Sequence, residues 1–327
     1  MKMKDLIAGF AKQLTTAMDM GIAAKLSPLR NEIRNVALLG LGGSAFGGEL
    51  TKNALKMNVP FQIHRNYDAP NYVSPNSLVI ASSYSGNTEE TLQAVTGCSE
   101  KGATIVCVTS GGELAKFAKK YDYDVILLPA GYPPRTAAGF SFVQQLFILK
   151  HFGLIGEFAP DIHEAIHLLE SFDDHDLAKA IATNAAEKAV VLYSSDALES
   201  VAIRFRQQIN ENAKQLCWNH YLPEMNHNEL VGWEKPDFLL PKTFVILLRW
   251  TYDHPRVALR FDINKEIIEP KSGKLMEVWA KGTSKIAQLM YLLHLADWVS
   301  VYLAELNSVD PTPVQVIDYL KNALSMR

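Results

Sequence analysis

Ser83, Ser85 and Thr88 lie in a segment whose residue types suit the binding of a phosphate monoester. The segment, residues 82–88 (Ser-Ser-Tyr-Ser-Gly-Asn-Thr), follows the apolar run 78–81 and precedes a helical pattern. At a strand-to-helix turn, hydroxyl groups and free backbone N–H groups can donate hydrogen bonds to an anion, and the helix N-terminus adds a partial positive charge. These residues therefore predict an anion site that needs no lysine.

The same segment also fits an ordinary helix start. Asn87 followed by Glu90 matches a capping box, and Glu89 with Glu90 suits a first helical turn whether or not a ligand binds. Two carboxylates in that turn would also repel a phosphate unless they point outward. The segment alone leaves both interpretations open.

A second candidate loop, residues 40–48 (Gly-Leu-Gly-Gly-Ser-Ala-Phe-Gly-Gly), follows the apolar run 36–39. Its glycines and Ser44 are expected between a buried strand and a helix that begins near Glu49. In a parallel sheet, both loops would lie at the carboxyl ends of strands, where open α/β folds bind ligands. A dinucleotide site is disfavoured, because the next strand, 61–64, is not followed by a well-placed acid, and no Gly-Lys-Ser/Thr P-loop is present.

Apolar runs with strand character alternate with helical patterns along the chain, which predicts parallel sheets with helices on both faces. The strands are expected at residues 36–39, 61–64, 78–81, 104–108, 125–128, 189–193, 244–248 and 275–280. The helices are expected within residues 1–30, 136–152, 157–174, 198–212, 285–306 and 314–323. We therefore predict an α/β fold with two doubly wound parallel sheets in tandem, in domains 1–155 and 156–327. The second half lacks both candidate loops.

The composition excludes several classes of protein. The chain has 327 residues, 48% of them hydrophobic, and a formal net charge of −3, so it has no basic field for nucleic acid. Its start does not resemble a signal peptide, and no apolar run approaches the ~18 residues of a membrane helix. The three cysteines, Cys98, Cys107 and Cys217, indicate neither a disulfide framework nor a zinc site. We expect a cytoplasmic protein with reduced cysteines, no metal and no membrane partner.

Glu211 and His227 are the candidates for proton transfer. Glu211 is expected near the end of a helix, where a glutamate is ordinarily solvated. His227 follows Pro223 in a dense polar cluster, and a histidine on such a loop is more often functional than one on an apolar helix face. Residue type and spacing alone do not decide either role.

The glycine loop (residues 40–48) and the hydroxyl loop (residues 83–88), in this order, resemble the sugar isomerase (SIS) family, whose domains bind phosphosugars. The resemblance covers residues 34–150. It implies that Gly42, Gly43 and Ser44 border a sugar, while Ser83, Ser85 and Thr88 hold its phosphate.

Three further motifs resemble the bifunctional phosphoglucose/phosphomannose isomerases, a branch of the phosphoglucose isomerase superfamily. They are Pro-Pro-Arg-Thr-Ala at 133–137, Glu-Asn-Ala-Lys at 211–214 and Asn-His-Asn-Glu at 226–229. By this resemblance Glu211 is the base, His227 opens the sugar ring, and Arg135 is the cation beside the developing negative charge. The family's histidine comes from the neighbouring subunit, which implies a homodimer.

The C-terminal motif Val-Asp-Pro-Thr-Pro-Val at 309–314 also resembles this family. There Thr312 would leave room for rotation about the C2–C3 bond, which allows the mannose epimer to form. Lys321 would lie near the ring oxygen or the phosphate. The ordinary interpretations are a proline-flanked helix cap and a solvated lysine.

The resemblance implies a metal-independent isomerase without a cofactor, which interconverts glucose 6-phosphate and mannose 6-phosphate with fructose 6-phosphate through a cis-enediol(ate). Metal-dependent mannose phosphate isomerases use a β-rich scaffold, which the alternating pattern does not resemble. The alternatives are an isomerase for glucose 6-phosphate only and a non-catalytic phosphosugar sensor. Glu211, His227 and Arg135 together favour catalysis over sensing.

Overall fold

The computed structural model describes residues 2–29 and 31–326, except for the side chains of residues 321 and 325. The chain forms two compact units. One is Gly9–His167, and the other combines residues 2–8 with residues 168–326. The predicted boundary after residue 155 lies before helix α7 (Ala159–Glu170), whereas the division between the units falls within this helix.

The N-terminal unit contains a five-stranded parallel sheet with the order β2-β1-β3-β4-β5. Its strands are β1 (Asn35–Leu39), β2 (Phe61–His64), β3 (Ser77–Ser82), β4 (Thr104–Thr109) and β5 (Asp124–Leu127). Its other helices are α2 (Phe10–Ala23), α3 (Gly42–Ala54), α4 (Glu89–Glu100), α5 (Gly112–Lys120) and α6 (Ala138–His151). All five predicted strands are present. The inner strands β1, β3 and β4 are almost continuously buried, whereas the edge strands β2 and β5 are mostly half-buried or exposed.

The C-terminal unit contains a four-stranded parallel sheet with the order β7-β6-β8-β9. Its strands are β6 (Ala189–Ser195), β7 (Cys217–Leu222), β8 (Thr243–Arg249) and β9 (Lys274–Trp279). Its helices are α1 (Met3–Ala8), α8 (His175–Ala185), α9 (Glu199–Ala213), α10 (Pro255–Ile268), α11 (Lys285–Leu306) and α12 (Gln315–Ser325). Two parallel sheets in one chain confirm the predicted α/β fold with two doubly wound domains in tandem.

Helix α11 is the main core helix of the C-terminal unit, and it packs against α8 and α9. Its length and apolar composition would suffice to cross a membrane, but 89% of its most apolar window is buried inside the protein. Helix α1 also packs on α11, where Lys4 forms a 2.5 Å ion pair with Glu305.

Helix α3 begins at Gly42, not near Glu49 as predicted. Glycine is a poor helix former, so the sequence pattern favoured a loop through residues 40–48. Tertiary packing overrides that preference, because a Cβ atom at Gly47 would lie 2.8 Å from the Gln145 side chain and one at Gly48 would lie 3.1 Å from Leu38. The glycines therefore let the start of α3 pack closely on α6 and the sheet.

We expect Gly86→Ala to destabilise the N-terminal unit more than Gly102→Ala does. Both glycines have the same left-handed backbone, with φ of +71° and +72°, and each alanine should cost about 1–2 kcal/mol for that conformation. At Gly86 the added Cβ would also lie 1.9 Å from the backbone oxygen of Gly111, and such overpacking costs about 1–3 kcal/mol more. The measurement is the free energy of unfolding in urea. Equal losses of unfolding free energy in the two variants would show that the backbone at Gly111 moves aside without cost.

Candidate functional site

The two predicted loops meet at the switch point of the N-terminal sheet. Neighbouring strands β1 and β3 connect onward in opposite directions, to β2 and β4, and ligands bind at such points in open α/β sheets. A Cβ atom at Gly40 would lie 2.8 Å from the backbone oxygen of Ser82. The backbone N–H of Tyr84 donates a 3.1 Å hydrogen bond to the buried Ser44 Oγ. This brings Gly42, Gly43 and Ser44 next to the hydroxyl loop.

The hydroxyl loop, residues 83–88, carries the three predicted hydroxyls, of which Ser83 is buried and Ser85 and Thr88 are more accessible, together with the buried Tyr84. The buried Ser83 Oγ lies 2.8 Å from Thr88 Oγ1 and accepts a 3.1 Å hydrogen bond from the Gly86 N–H. Ser85 is exposed, and its Oγ accepts from the Asn87 N–H at 3.2 Å. The first-turn N–H groups of α4 have no acceptor within the helix. An anion at the loop could therefore meet both hydroxyl and backbone donors.

The alternative interpretation of Asn87 and Glu90 as a capping box at α4 is wrong. The N-cap residue is Thr88, and its side chain makes no capping hydrogen bond. The Asn87 Oδ1 atom instead accepts a 3.0 Å hydrogen bond from the backbone N–H of Glu113 on α5. Asn87 therefore connects the hydroxyl loop to the next crossover helix, and the hydroxyl of Thr88 faces Ser83 within the loop.

Arg135 lies beside the glycine loop, at the start of α3. It is the central residue of a 3-10 turn, Pro134–Thr136, and only 6% of its surface is exposed. A Cβ atom at Gly43 would lie 2.8 Å from the backbone oxygen of Pro134 and 3.8 Å from Arg135 Cα. Glycine at position 43 thus permits this close backbone approach. A permanent, largely buried positive charge is placed at the same end of the sheet as both loops.

Two side chains that the sequence did not single out hold the segment around Arg135. The Tyr84 hydroxyl donates to the backbone oxygen of Pro129 at 2.8 Å and accepts from the Tyr132 N–H at 2.9 Å. Burial raises the pKa of Tyr84, which keeps this hydroxyl protonated. On the other side, Gln13 of α2 donates to the Thr136 backbone oxygen at 2.7 Å and accepts from the Gly139 N–H at 3.0 Å. Gln13 carries no local motif that could have identified it.

Glu211 lies in the last turn of α9 and lines a cavity of about 640 Å³. The walls come from the end of this helix, from Lys214 and Gln215 directly after it, and from residues 309–310 and 313–317 before and within α12. The Gln215 side chain donates at 2.8 Å to the backbone oxygen of Lys188, which directly precedes β6. Glu211 is therefore near the amino edge of the C-terminal sheet.

His227 is exposed and ends the 3-10 turn Glu224–His227, which follows β7 at the opposite, carboxyl edge of the same sheet. Strand β7 has 6 residues, so the two edges are roughly 20 Å apart at about 3.3 Å per residue. The turn is held by Asn226, whose side chain donates to Asn264 Oδ1 at 2.8 Å. Within this unit, Glu211 and His227 are not brought together.

Thr312 is exposed in the segment beside Glu211. Its backbone N–H donates a 2.8 Å hydrogen bond to Asp310 Oδ1, and its neighbours Asp310 and Pro313 line the Glu211 cavity. Lys321 belongs to α12, but its side chain lies outside the described part of the chain. Among residues 2–29 and 31–326, no cluster of His, Cys, Asp and Glu side chains could hold a metal ion.

The three cysteines are free and buried. Burial raises the pKa of Cys98 to about 11 and that of Cys107 to about 12, and it also raises the pKa of Cys217. Thiols with such pKa values are protonated and unreactive near neutral pH. They act as packing residues and offer no nucleophile.

Two family models together match most of the chain. Residues 30–154 match the SIS domain, and residues 174–324 match the bacterial phospho-glucose isomerase C-terminal SIS domain. Among solved structures, a hypothetical protein from Thermus thermophilus superposes with a TM-score of 0.74 over 98% of this chain and 90% of that one. At 16% identity, this likeness concerns the fold alone.

Curated relatives extend the similarity to nearly the whole sequence. The chain is 37% identical to the bifunctional phosphoglucose/phosphomannose isomerase of Caldicellulosiruptor bescii, over 99% of both proteins. It is also 37% identical to the protein of the same name from Aquifex aeolicus, over 93% of both. On this similarity, the chain belongs to the bifunctional phosphoglucose/phosphomannose isomerase family.

Proposed function

We propose that this protein interconverts glucose 6-phosphate and mannose 6-phosphate with fructose 6-phosphate, at one site and without a metal or a cofactor. The observation that carries this proposal is that the glycine loop, the hydroxyl loop and the buried Arg135 meet at one switch point of the sheet. The chain that holds them also belongs to this family. An oxyanion-stabilising cation beside a phosphate site suits an aldose–ketose isomerisation better than simple recognition.

The phosphate of the substrate is bound by Ser83, Ser85 and Thr88 together with the first-turn N–H groups of α4. The sugar lies against Gly42, Gly43 and Ser44. Support comes from the 3.1 Å hydrogen bond between the Tyr84 N–H and Ser44 Oγ, because it fixes the spacing between the phosphate end and the sugar end of the site. The non-reacting phosphate thus supplies binding energy that positions the reacting carbons.

Glu211 is the base that removes the C2 proton and returns it to C1 on the same face of the cis-enediolate. One carboxylate can perform both transfers, since each requires the same group in alternating protonation states. Arg135 stabilises the negative enediolate oxygen, because its guanidinium stays charged at any working pH. This stabilisation favours the intermediate over the neutral substrate.

His227 opens the sugar ring of a substrate bound to the partner subunit, in a homodimer. The ordinary pKa of histidine is near neutrality, which suits proton transfer to and from a hemiacetal. Support for a contribution across subunits is topological: β7 separates Glu211 from His227 within one C-terminal unit, by roughly 20 Å at about 3.3 Å per residue. A twofold axis can bring His227 of the partner subunit to Glu211, and it completes two sites at once.

Thr312 gives the enediolate room to rotate about C2–C3, so that the proton can reach either face, and Lys321 contacts the ring oxygen or the phosphate. The segment of Thr312 lies beside the Glu211 cavity, which supports the first role. We also propose a cytoplasmic location, since three buried thiols without a disulfide suit a reducing compartment.

Changing Ser85 and Thr88 together to alanine should raise KM for both aldose phosphates much more than it lowers kcat. Each charge-assisted hydrogen bond to the phosphate contributes roughly 1.5–3 kcal/mol. The matched control is Thr96→Ala. It removes an exposed hydroxyl of α4 that donates to the backbone oxygen of Leu92. Steady-state kinetics with both variants is the measurement, and an unchanged KM in the double variant would remove these hydroxyls from the phosphate site.

The wild-type protein should turn over both glucose 6-phosphate and mannose 6-phosphate in a coupled assay, with and without chelator. The variant Glu211→Gln should lose both activities. The amide keeps the shape of the side chain but cannot accept the C2 proton, and loss of a general base typically costs ~10²-fold or more. Phosphosugar binding should stay within about tenfold, or ~1.4 kcal/mol.

Glu305→Gln is the matched control for this substitution, because it neutralises an exposed glutamate of the same unit. Turnover of glucose 6-phosphate alone would indicate the glucose-specific isomerase, and binding without turnover of either sugar would indicate a sensor. A Glu211→Gln enzyme with more than a percent or so of wild-type activity would exclude Glu211 as the base.

Mixing inactive Glu211→Gln and His227→Ala proteins should restore isomerase activity after subunit exchange. Each hybrid dimer has one site with both defects and one intact site, so random exchange leaves about a quarter of all sites functional. The proteins carry different tags, and the hybrid is purified and assayed for both substrates. Inactive hybrids would mean that both residues serve the same subunit's site, or that His227 is not in the site.

A further inference from the structure

Asn307 connects the two walls of the Glu211 cavity. It is the C-cap residue of α11 and directly precedes the segment that carries Thr312. Its Nδ2 atom donates to the backbone oxygen of Ala213 at 3.0 Å and to Gln215 Oε1 at 2.9 Å. Ala213 is the last residue of α9, which carries Glu211 in its last turn. One side-chain amide, with both of its N–H donors in use, therefore joins the wall of the proposed base to the wall of Thr312.

The α9 side of this contact is anchored to the rest of the C-terminal unit. The Gln215 side chain also donates to the backbone oxygens of Ala185 and Lys188, each at 2.8 Å. Lys214 has a left-handed backbone with φ of +55°, a conformation that ends a helix. Asn307 therefore donates to two acceptors whose positions are fixed by the chain around them.

The Thr312 side of the contact is fixed by two local turns. Ser308 has a left-handed backbone with φ of +54°, and the N–H of the next residue donates to the backbone oxygen of Ala304 at 3.0 Å. Together they form the Schellman ending of α11. Asp310 Oδ1 then accepts a 2.8 Å hydrogen bond from the Thr312 N–H, as in an Asx turn. These turns restrict the chain between the end of α11 and Thr312.

We propose that Asn307 is a positioning residue that determines the ratio of the two aldose products, because it fixes the spacing between Glu211 and Thr312. The inference rests on the function proposed above. From fructose 6-phosphate, Glu211 moves a proton from C1 to C2 while the hydroxyl proton passes from O1 to O2, so no co-reactant is needed. Protonation of one face of C2 gives glucose 6-phosphate, and protonation of the other face, after rotation about C2–C3, gives mannose 6-phosphate. The spacing of the two walls sets how far the intermediate rotates before the proton returns.

The product ratio separates this role from a contribution to stability alone. Both aldose phosphates arise from one intermediate in one site, so a smaller fraction of folded protein lowers both rates by the same factor. A change in the ratio requires a change in the relative free energies of the two protonation steps. The ratio therefore reports the geometry of the site and not the amount of folded enzyme.

Asn307→Ala should shift the products formed from fructose 6-phosphate towards mannose 6-phosphate, by about threefold or more. Without the amide, the Thr312 segment is no longer joined to α9, which leaves the intermediate more room to rotate. The summed initial rate should fall about tenfold, because the turn that holds Glu211 loses the same contact. Quenched initial-rate samples, with the two aldose phosphates separated by anion-exchange chromatography, give both quantities.

Asn184→Ala is the matched control, because it removes an amide of α8 that likewise donates to a backbone oxygen, that of Ala180 at 2.8 Å. It should leave the ratio and the rate unchanged. Asn307→Ser is a milder second variant that should shift the ratio in the same direction. An unchanged ratio in both Asn307 variants, or an equal shift in the control, would overturn the positioning role. Wild-type protein that forms a single aldose phosphate would contradict the proposed function, and this inference with it.

Discussion

The reversal of strand order between β1 and β3 is the constraint on which the N-terminal site depends. Because the chain leaves these neighbouring strands in opposite directions, a crevice opens at their carboxyl ends, and the starts of α3 and α4 both border it. One hydrogen bond, from the Tyr84 N–H to Ser44 Oγ, joins the two sides. Each helix start brings a partial positive charge to the same place, and such a charge favours an anion without a lysine.

Arg135 adds a full positive charge to the partial charges of the two helix starts, and its position depends on Gly43. A side chain at position 43 would push back the backbone of Pro134, so the arginine could not approach the turn at the start of α3. The segment is also held from both sides, by Tyr84 and by Gln13. Such bracing matters because a preorganised cation stabilises a developing oxyanion without the cost of reorienting during the reaction.

The sequence predicted the elements that carry an apolar run, and it missed features whose position is decided by distant contacts. The other strands were recognised from their apolar residues, including the edge strands β2, β5 and β9, whereas β7 was missed because the polar Asn219 and His220 interrupt its apolar pattern. The expectations for the start of α3 and for the capping of α4 were wrong, because contacts with residues distant in the sequence decide both. Asn87 bonds to α5, and no local pattern encodes that choice. Helix α10 and the role of Asn264 were missed for the same reason.

The parallel topology also separates the two residues proposed for proton transfer. A crossover helix ends at the amino edge of its sheet and the following strand ends at the carboxyl edge, so Glu211 and His227 are separated by the full length of β7. Neither residue can move to the other edge without breaking the β6–β7 register. The proposed homodimer avoids that conflict, because a residue of the partner subunit can reach Glu211 while each sheet stays intact. The Asn226–Asn264 hydrogen bond holds the turn that carries His227 on α10.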